Sequence, residues 1–220
     1  NNSEHRHRLG SELRKALANG EFELWYQPQM CLTTSSLSGV EALLRWRHPD
    51  HGLLTPAAFI EVLEDSPIAE DVGDWVVEQA CAATAQWERA GLRSMRIGVN
   101  LFAAQLRSDR LFEVVSTALR KHQLSPDQLE LGITETTVLR HNNQSTKALR
   151  NLNSLGVGIA FDDFGTGFAS LSLLQKYPLT RLKIDRSFIA HIDRKAGDSA
   201  IVKCLIQKFL KRSNILQFCA

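Results

Sequence analysis

The chain has 220 residues, of which 44% are hydrophobic, and a formal net charge of +2. This size allows one complete core of α/β-barrel size or two smaller ones. The near-balanced charge, with a pI near 8.4, gives no basis for binding a nucleic-acid polymer. No apolar run approaches the ~20 residues of a membrane helix, so we expect a cytoplasmic protein or the cytoplasmic part of a larger membrane protein.

Helix and strand patterns alternate along the chain, beginning with a polar segment in which Leu9, Leu13 and Leu17 have helical spacing. Six strands are predicted, at 22–29, 40–46, 96–102, 128–134, 157–164 and 181–185. The predicted helices cover 56–64, 68–90, 109–122, 144–155 and 199–211. Thr55 and Pro56 suit an N-cap and a first helical position. No repeat or linker interrupts the pattern, which predicts one domain over 1–220, with 1–20 as a linker helix continuing from an upstream segment.

The alternation of apolar strands with helices predicts a largely parallel sheet covered by helices. Such a sheet is either open and doubly wound or closed into a (β/α) barrel. Polar residues recur near the carboxyl ends of the strands, which favours the barrel, because barrel active sites are assembled at that end. These residues are Glu41, Asn100, Asp162, Asp163 and Lys183.

One stretch, GIAFDDFGTGFASL at 158–171, combines an apolar strand, two carboxylates and two glycines. Asp162 and Asp163 repel each other and need a cation or a raised pKa to coexist at close range. Gly165 and Gly167 allow a sharp turn or a close approach to a phosphate. The stretch therefore fits a divalent-metal site acting on a phosphate ester, or a strand end followed by an Asx-type turn.

Other polar residues also have two interpretations each. Glu41 would be costly to bury unpaired, and Arg45 lies on the same strand face. The two residues therefore fit either a metal ligand beside a phosphate-binding guanidinium or a salt bridge with each other. Asn100 fits an oxygen ligand or a strand-end cap. Lys183 fits activation of a water or neutralisation of a nearby aspartate. Glu135 fits a metal ligand or a residue that pins a loop.

Four segments together carry a family resemblance: EALLRWRHPDHGLLTPAAFI at 41–60, VNL at 99–101, DDFGTGFASLSLLQKYPL at 162–179 and LKIDRSFI at 182–189. In this order they resemble the EAL domain, which is named after the tripeptide found here at 41–43. The resemblance extends from about residue 9 to 202. It implies a modified (β/α)₈ barrel that hydrolyses cyclic di-GMP, a bacterial second messenger, to its linear dinucleotide with Mg²⁺ or Mn²⁺.

The resemblance also implies a metal site. Glu41, Asn100 and Asp162 match metal ligands of the family, and Asp163 matches the residue that serves a second metal. In the family mechanism the two metals activate a water and stabilise the charge that develops on the phosphate.

Further roles follow from the same resemblance. Lys183 matches the lysine that interacts with the attacking water, and Glu135 matches a glutamate that steadies the DDFGTG loop. Together with Asp163 they are the implied catalytic residues, whereas Gln27 and Arg45 match residues that contact the dinucleotide. The implied partners are cyclic di-GMP, an upstream domain such as a GGDEF or sensor domain, an unidentified protein and a second copy of the chain.

Three departures from the family pattern bear on activity. Gly132 stands where active members usually have a metal-binding glutamate, and a gapless comparison places Cys219 at another such glutamate. The final strand with its Gln-Gly motif is missing, which predicts an incomplete barrel over 21–220 with exposed strand edges. Because even outer-shell losses cost ~10–100-fold, losing two direct ligands predicts very poor or no hydrolysis.

Three functions therefore compete. The favoured one is an EAL-type protein that binds cyclic di-GMP with little or no turnover. The others are an active phosphodiesterase with substitute ligands and a nucleotide-independent scaffold for another protein. The ionisable groups retained around one predicted cavity count against the scaffold.

Overall fold

The computed structural model describes residues 2–92, 95–134, 137, 143–164, 176–185 and 216–218. Its strands are β1 Phe22–Cys31, β2 Ser36–His48, β3 Gly52–Leu54, β4 Arg96–Asn100, β5 Leu129–Thr134, β6 Gly158–Phe164, β7 Arg181–Ile184 and β8 Leu216–Phe218. Its α-helices are α1 Asn2–Ala18, α2 Ile60–Glu64, α3 Ala69–Arg89, α4 Ala103–Arg107, α5 Leu111–His122 and α6 Asn143–Leu155. The helix predicted at 199–211 lies outside the described residues.

The strands form one sheet in the order β1-β2-β4-β5-β6-β7-β8, and β3 pairs with β2. All pairs from β2–β4 to β7–β8 are parallel, as the alternating pattern predicted. The β1–β2 and β2–β3 pairs are antiparallel, which the sequence patterns did not predict. The connection at 32–35 is a short turn, too short for the crossover that a parallel pair needs.

The sheet curls round, so that strands far apart in its order face each other. Four strand spacings separate β2 from β7, which in a flat sheet would be about 19 Å. Instead, the Nζ of Lys183 on β7 lies 2.9 Å from Oε2 of Glu41 on β2. This contact requires the curvature of a barrel and confirms the predicted α/β barrel class. Within the described residues, no ladder joins β8 back to β1.

The outer face of the sheet is covered by the helices. Leu9 and Leu13 of α1 are buried and Leu17 packs beside them, as their spacing predicted. The longest helix, α3, places a valine and alanine face in the same core. The ring of Trp46 on β2 is also fully buried and contacts the ring of Phe59. Within the part of the chain that the structure describes, no helix is long and apolar enough to cross a membrane.

Some boundaries of helices and strands differ from those predicted. The predicted helix at 56–64 is a 3₁₀ turn, Pro56–Ala58, followed by α2, and Thr55 precedes it in extended conformation without a side-chain capping bond. The predicted strand at 96–102 stops at Asn100, and a short helix, α4, follows. The backbone N–H of Phe102 donates to Oε1 of Gln105 at 3.2 Å, which fixes the start of α4.

A buried ion cluster lies at the amino ends of the barrel strands. Oε2 of Glu130, a residue only 2% exposed, accepts from Nε of Arg181 at 2.8 Å, and Nε of Arg96 lies 3.6 Å away. A Cβ added at Gly158 would lie 3.4 Å from the Glu130 side chain, so β6 packs in van der Waals contact with the cluster. Three charged side chains thus lie together at the amino-terminal end of the barrel.

Replacing Glu130 by glutamine should lower the free energy of unfolding by about 1–3 kcal/mol, because two arginines lose a charged acceptor while the shape is kept. Urea unfolding followed by circular dichroism would measure the change. The matched control is Glu113→Gln on the exposed side of α5, for which a change below about 0.5 kcal/mol is expected. Equal effects of the two substitutions would show that the cluster contributes nothing.

Candidate functional site

Three strands bring Glu41, Asp162 and Lys183 together near the carboxyl edge of the sheet. Nζ of Lys183 donates to Oδ2 of Asp162 at 2.7 Å and to Oε2 of Glu41 at 2.9 Å. The lysine side chain is 2% exposed, whereas those of Glu41 and Asp162 are 16% and 15% exposed. A buried ammonium therefore sits between two carboxylates that still reach solvent.

Burial opposes the charged form of Lys183, but attraction by Asp162 and Glu41, with their hydrogen bonds, outweighs it and raises the pKa of the lysine. The stability that this raised pKa contributes is fully present below the unfolded pKa of about 10.4 and is lost as pH rises through the folded pKa. Lys183 is therefore a fixed cation at neutral pH. Of its two interpretations, the described contacts fit neutralisation of carboxylates.

The side chain of Asn100 connects Glu41 to the position of Gly132. Its Nδ2 donates to Oε1 of Glu41 at 2.8 Å. Asn100 and Gly132 are paired neighbours on β4 and β5. A Cβ built at Gly132 would lie only 2.2 Å from Oδ1 of Asn100, so the amide fills space that any other residue at 132 would occupy.

The donor set suits a divalent cation only in part. Glu41 and Asp162 offer carboxylate oxygens, and Mg²⁺ is often held by one or two carboxylates with water and phosphate. Among the described residues, no three His, Cys, Asp or Glu side chains are grouped to hold a metal. The backbone of Asp163 continues β6, but its side chain lies outside the described residues, as does Glu135. The described donors fit one cation better than two.

The antiparallel hairpin of β1 and β2 extends this site beyond the carboxyl edge. The last residue of β2 paired with β4 is Ala42, so the strand continues past the edge from there. Gln27 lies directly opposite Glu41 in the ladder, and Glu23 lies opposite Arg45. Cross-strand partners share a face, so the predicted ligand-contacting residues Gln27 and Arg45 belong to the face of Glu41.

Arg45 does not pair with Glu41 in the described contacts. Its guanidinium lies 5.6 Å from the centre of the Trp25 ring, and its Nη1 donates to the carbonyl of Leu44 at 2.9 Å. Sequence reasoning missed Trp25, and it also missed Gln29, whose Nε2 lies 3.4 Å from Oε2 of Glu41. Both alternate with Gln27 on β1, and this period of two was the available signal.

Comparison with known proteins gives a family for this arrangement. The sequence model of the EAL domain matches residues 11–215. The chain is 40% identical over 205 residues to the bifunctional diguanylate cyclase/cyclic di-GMP phosphodiesterase MucR of Pseudomonas aeruginosa. The match covers 93% of this chain but only 30% of MucR, so the chain spans less than a third of that relative.

Two solved structures have the same fold. The MucR phosphodiesterase in complex with cyclic di-GMP superimposes with a TM-score of 0.83 at 40% identity, covering 91% of this chain and 81% of that one. The EAL enzyme Bd1971, bound to cAMP and cyclic di-GMP, has a TM-score of 0.89 at 30% identity, covering 98% and 59% of the two chains. The barrel is thus that of EAL domains.

Proposed function

This chain belongs to the EAL domain family. We propose that it binds cyclic di-GMP but hydrolyses it very slowly or not at all. Binding is supported by the solved EAL domains that hold cyclic di-GMP and by the site face shared by Glu41 and Arg45. A carboxylate and a guanidinium on one wall suit a cation and a phosphate, respectively.

The observation that carries the proposal of poor turnover is the contact between Asn100 and the position of Gly132. A glycine offers no ligand, and the amide of Asn100 lies where a side chain of residue 132 would begin. The same amide donates to Glu41, so a carboxylate oxygen that could hold a cation is already engaged. The absence of a carboxylate ligand at 132, together with the hydrogen bond that engages Glu41, should lower metal affinity strongly.

Five residues of the site have proposed roles in holding the cation, the attacking water and the dinucleotide. Glu41 and Asp162 would hold a divalent cation, which when bound supplies a more acidic water and neutralises phosphate charge. Lys183 holds both carboxylates in place through its two hydrogen bonds, and we propose that its ammonium also orients the attacking water. Arg45 and Gln27 would fix the dinucleotide above them.

Turnover and binding should be measured on the same protein. We expect calorimetry in EDTA to detect cyclic di-GMP binding, and no heat of binding at ~100 μM would end the proposal. With Mn²⁺, chromatography should show a rate of linear dinucleotide formation close to that of Glu41→Ala. A wild-type rate far above that control would favour the second candidate, an active phosphodiesterase, which the retained Glu41, Asp162 and Lys183 cluster also fits.

The whole protein is proposed to have further domains and partners. MucR carries a second activity according to its name, and the chain covers only part of it, which supports an upstream signalling domain joined through α1. We further propose a cytoplasmic location, Mg²⁺ or Mn²⁺ as the cation, pairing of two copies and an unidentified protein partner. Light scattering during size-exclusion chromatography would test the pairing directly.

A further inference from the structure

Trp25 stands out among the tryptophans because it is exposed on the site face. Trp46 is fully buried, and Trp75 and Trp87 pack against the core, whereas Trp25 is 49% exposed. It lies opposite Leu43 in the β1–β2 ladder, one step beyond the level of Ala42 where β2 leaves the sheet edge. Its indole is therefore on the wall above the carboxylates.

The orientation of the indole is fixed by charged neighbours. Nε1 of Trp25 donates to Oε1 of Glu23 at 2.8 Å. Glu23 is itself held by Arg47, whose Nη2 lies 2.7 Å from Oε2 of Glu23. The guanidinium of Arg45 lies over the ring, with its Cζ 5.6 Å from the ring centre. A surface tryptophan held by two charged neighbours loses little freedom when a flat ligand stacks on it.

The position of Trp25 matches the geometry of a nucleotide. Leu43, opposite Trp25, is two residues from Glu41, or ~7 Å along the strand. A sugar spans a gap of that order between a phosphate and its base. A phosphate bound on the face shared by Glu41 and Arg45 would therefore bring a base level with the indole. Tryptophan faces and guanidinium planes are the groups on which unpaired bases stack.

We propose that Trp25, steadied by Glu23 and Arg45, is a stacking platform for one guanine base of the bound dinucleotide. This assignment rests on the proposed binding of cyclic di-GMP. It gives Arg45 a second role, because its guanidinium packs over the indole and holds it in position.

Calorimetry of cyclic di-GMP binding in EDTA to Trp25→Ala, Trp25→Phe and the wild-type chain would test the platform. Base stacking predicts that Trp25→Ala weakens binding about 5- to 150-fold, whereas Trp25→Phe stays within about threefold. Phe112→Ala, which removes a comparably exposed ring from α5, should leave affinity unchanged. Cyclic di-GMP should also quench tryptophan fluorescence in the wild type, and this quenching should be lost in Trp25→Phe although binding persists.

The outcomes separate the two proposals. Undiminished binding by Trp25→Ala, or equal quenching in Trp25→Phe and the wild type, would overturn the platform and leave cyclic di-GMP binding intact. No binding by the wild type would remove the proposed function and the platform with it. Equal weakening by Phe112→Ala would show a general loss of folding and would also overturn the assignment.

Discussion

Replacing Lys183 by methionine is expected to lower the free energy of unfolding by about 3–5 kcal/mol. The ammonium is almost completely buried and is the shared partner of Glu41 and Asp162. Methionine keeps most of the volume but leaves two neighbouring carboxylates without their cation. Because a domain of this kind is stable by only about 5–15 kcal/mol, urea unfolding should show a large shift of the midpoint.

Lys147→Met is the matched control, because Lys147 is exposed on α6 and its removal should change stability by less than about 0.5 kcal/mol. Added Mg²⁺ should restore part of the stability of Lys183→Met, since a cation can replace the ammonium between the carboxylates. A Lys183→Met protein as stable as the control would contradict the described cluster.

Replacing Gly132 by glutamate should raise the Mn²⁺-dependent rate of cyclic di-GMP hydrolysis at least ~10-fold. The new side chain must displace Oδ1 of Asn100, which would lie 2.2 Å from its Cβ. Only the end of a flexible side chain has to move, although the hydrogen bond from Asn100 to Glu41 is then weakened. The gain is a carboxylate beside Asn100 and Glu41, where the family resemblance predicts one.

Gly132→Ala separates the new ligand from the displacement of Asn100, because alanine imposes the same steric shift without a carboxylate. We expect no gain in hydrolysis from alanine and a further gain when Cys219→Glu is combined with Gly132→Glu. Equal rates for the alanine and glutamate variants would show that a carboxylate at 132 does not promote turnover. Chromatography of the linear product measures each rate.

Strand ends were the most predictable part of the molecule. Apolar runs closed by polar residues marked Asn100 and Asp162, and a charge inside an apolar run marked Glu41. Parallel strands place such residues at one edge. Lys183 was found in the same way, but its pairing with Glu41 was not predictable. That contact joins β2 to β7, and only the curvature of the whole sheet brings those strands within reach.

Other features were not predicted, because their sequence signals are short or lie outside the motifs. Strand β3 has only three residues, so no periodicity could reveal it. Trp25 lies in a strand of mixed polar and apolar residues, and Glu130 interrupts an apolar strand. The role of each depends on residues of other strands. The absence of a metal ligand at Gly132 was predicted from the family resemblance and stays a prediction, whereas the position of the Asn100 amide in that space depends on side-chain packing.

A crystal structure of the protein with cyclic di-GMP and Mn²⁺ tests the central claim most directly. We predict a dinucleotide at the carboxyl edge with Glu41, Asp162 and Arg45 around it, and no more than one fully liganded cation. Two fully liganded cations, or a dinucleotide bound away from these residues, would contradict the account.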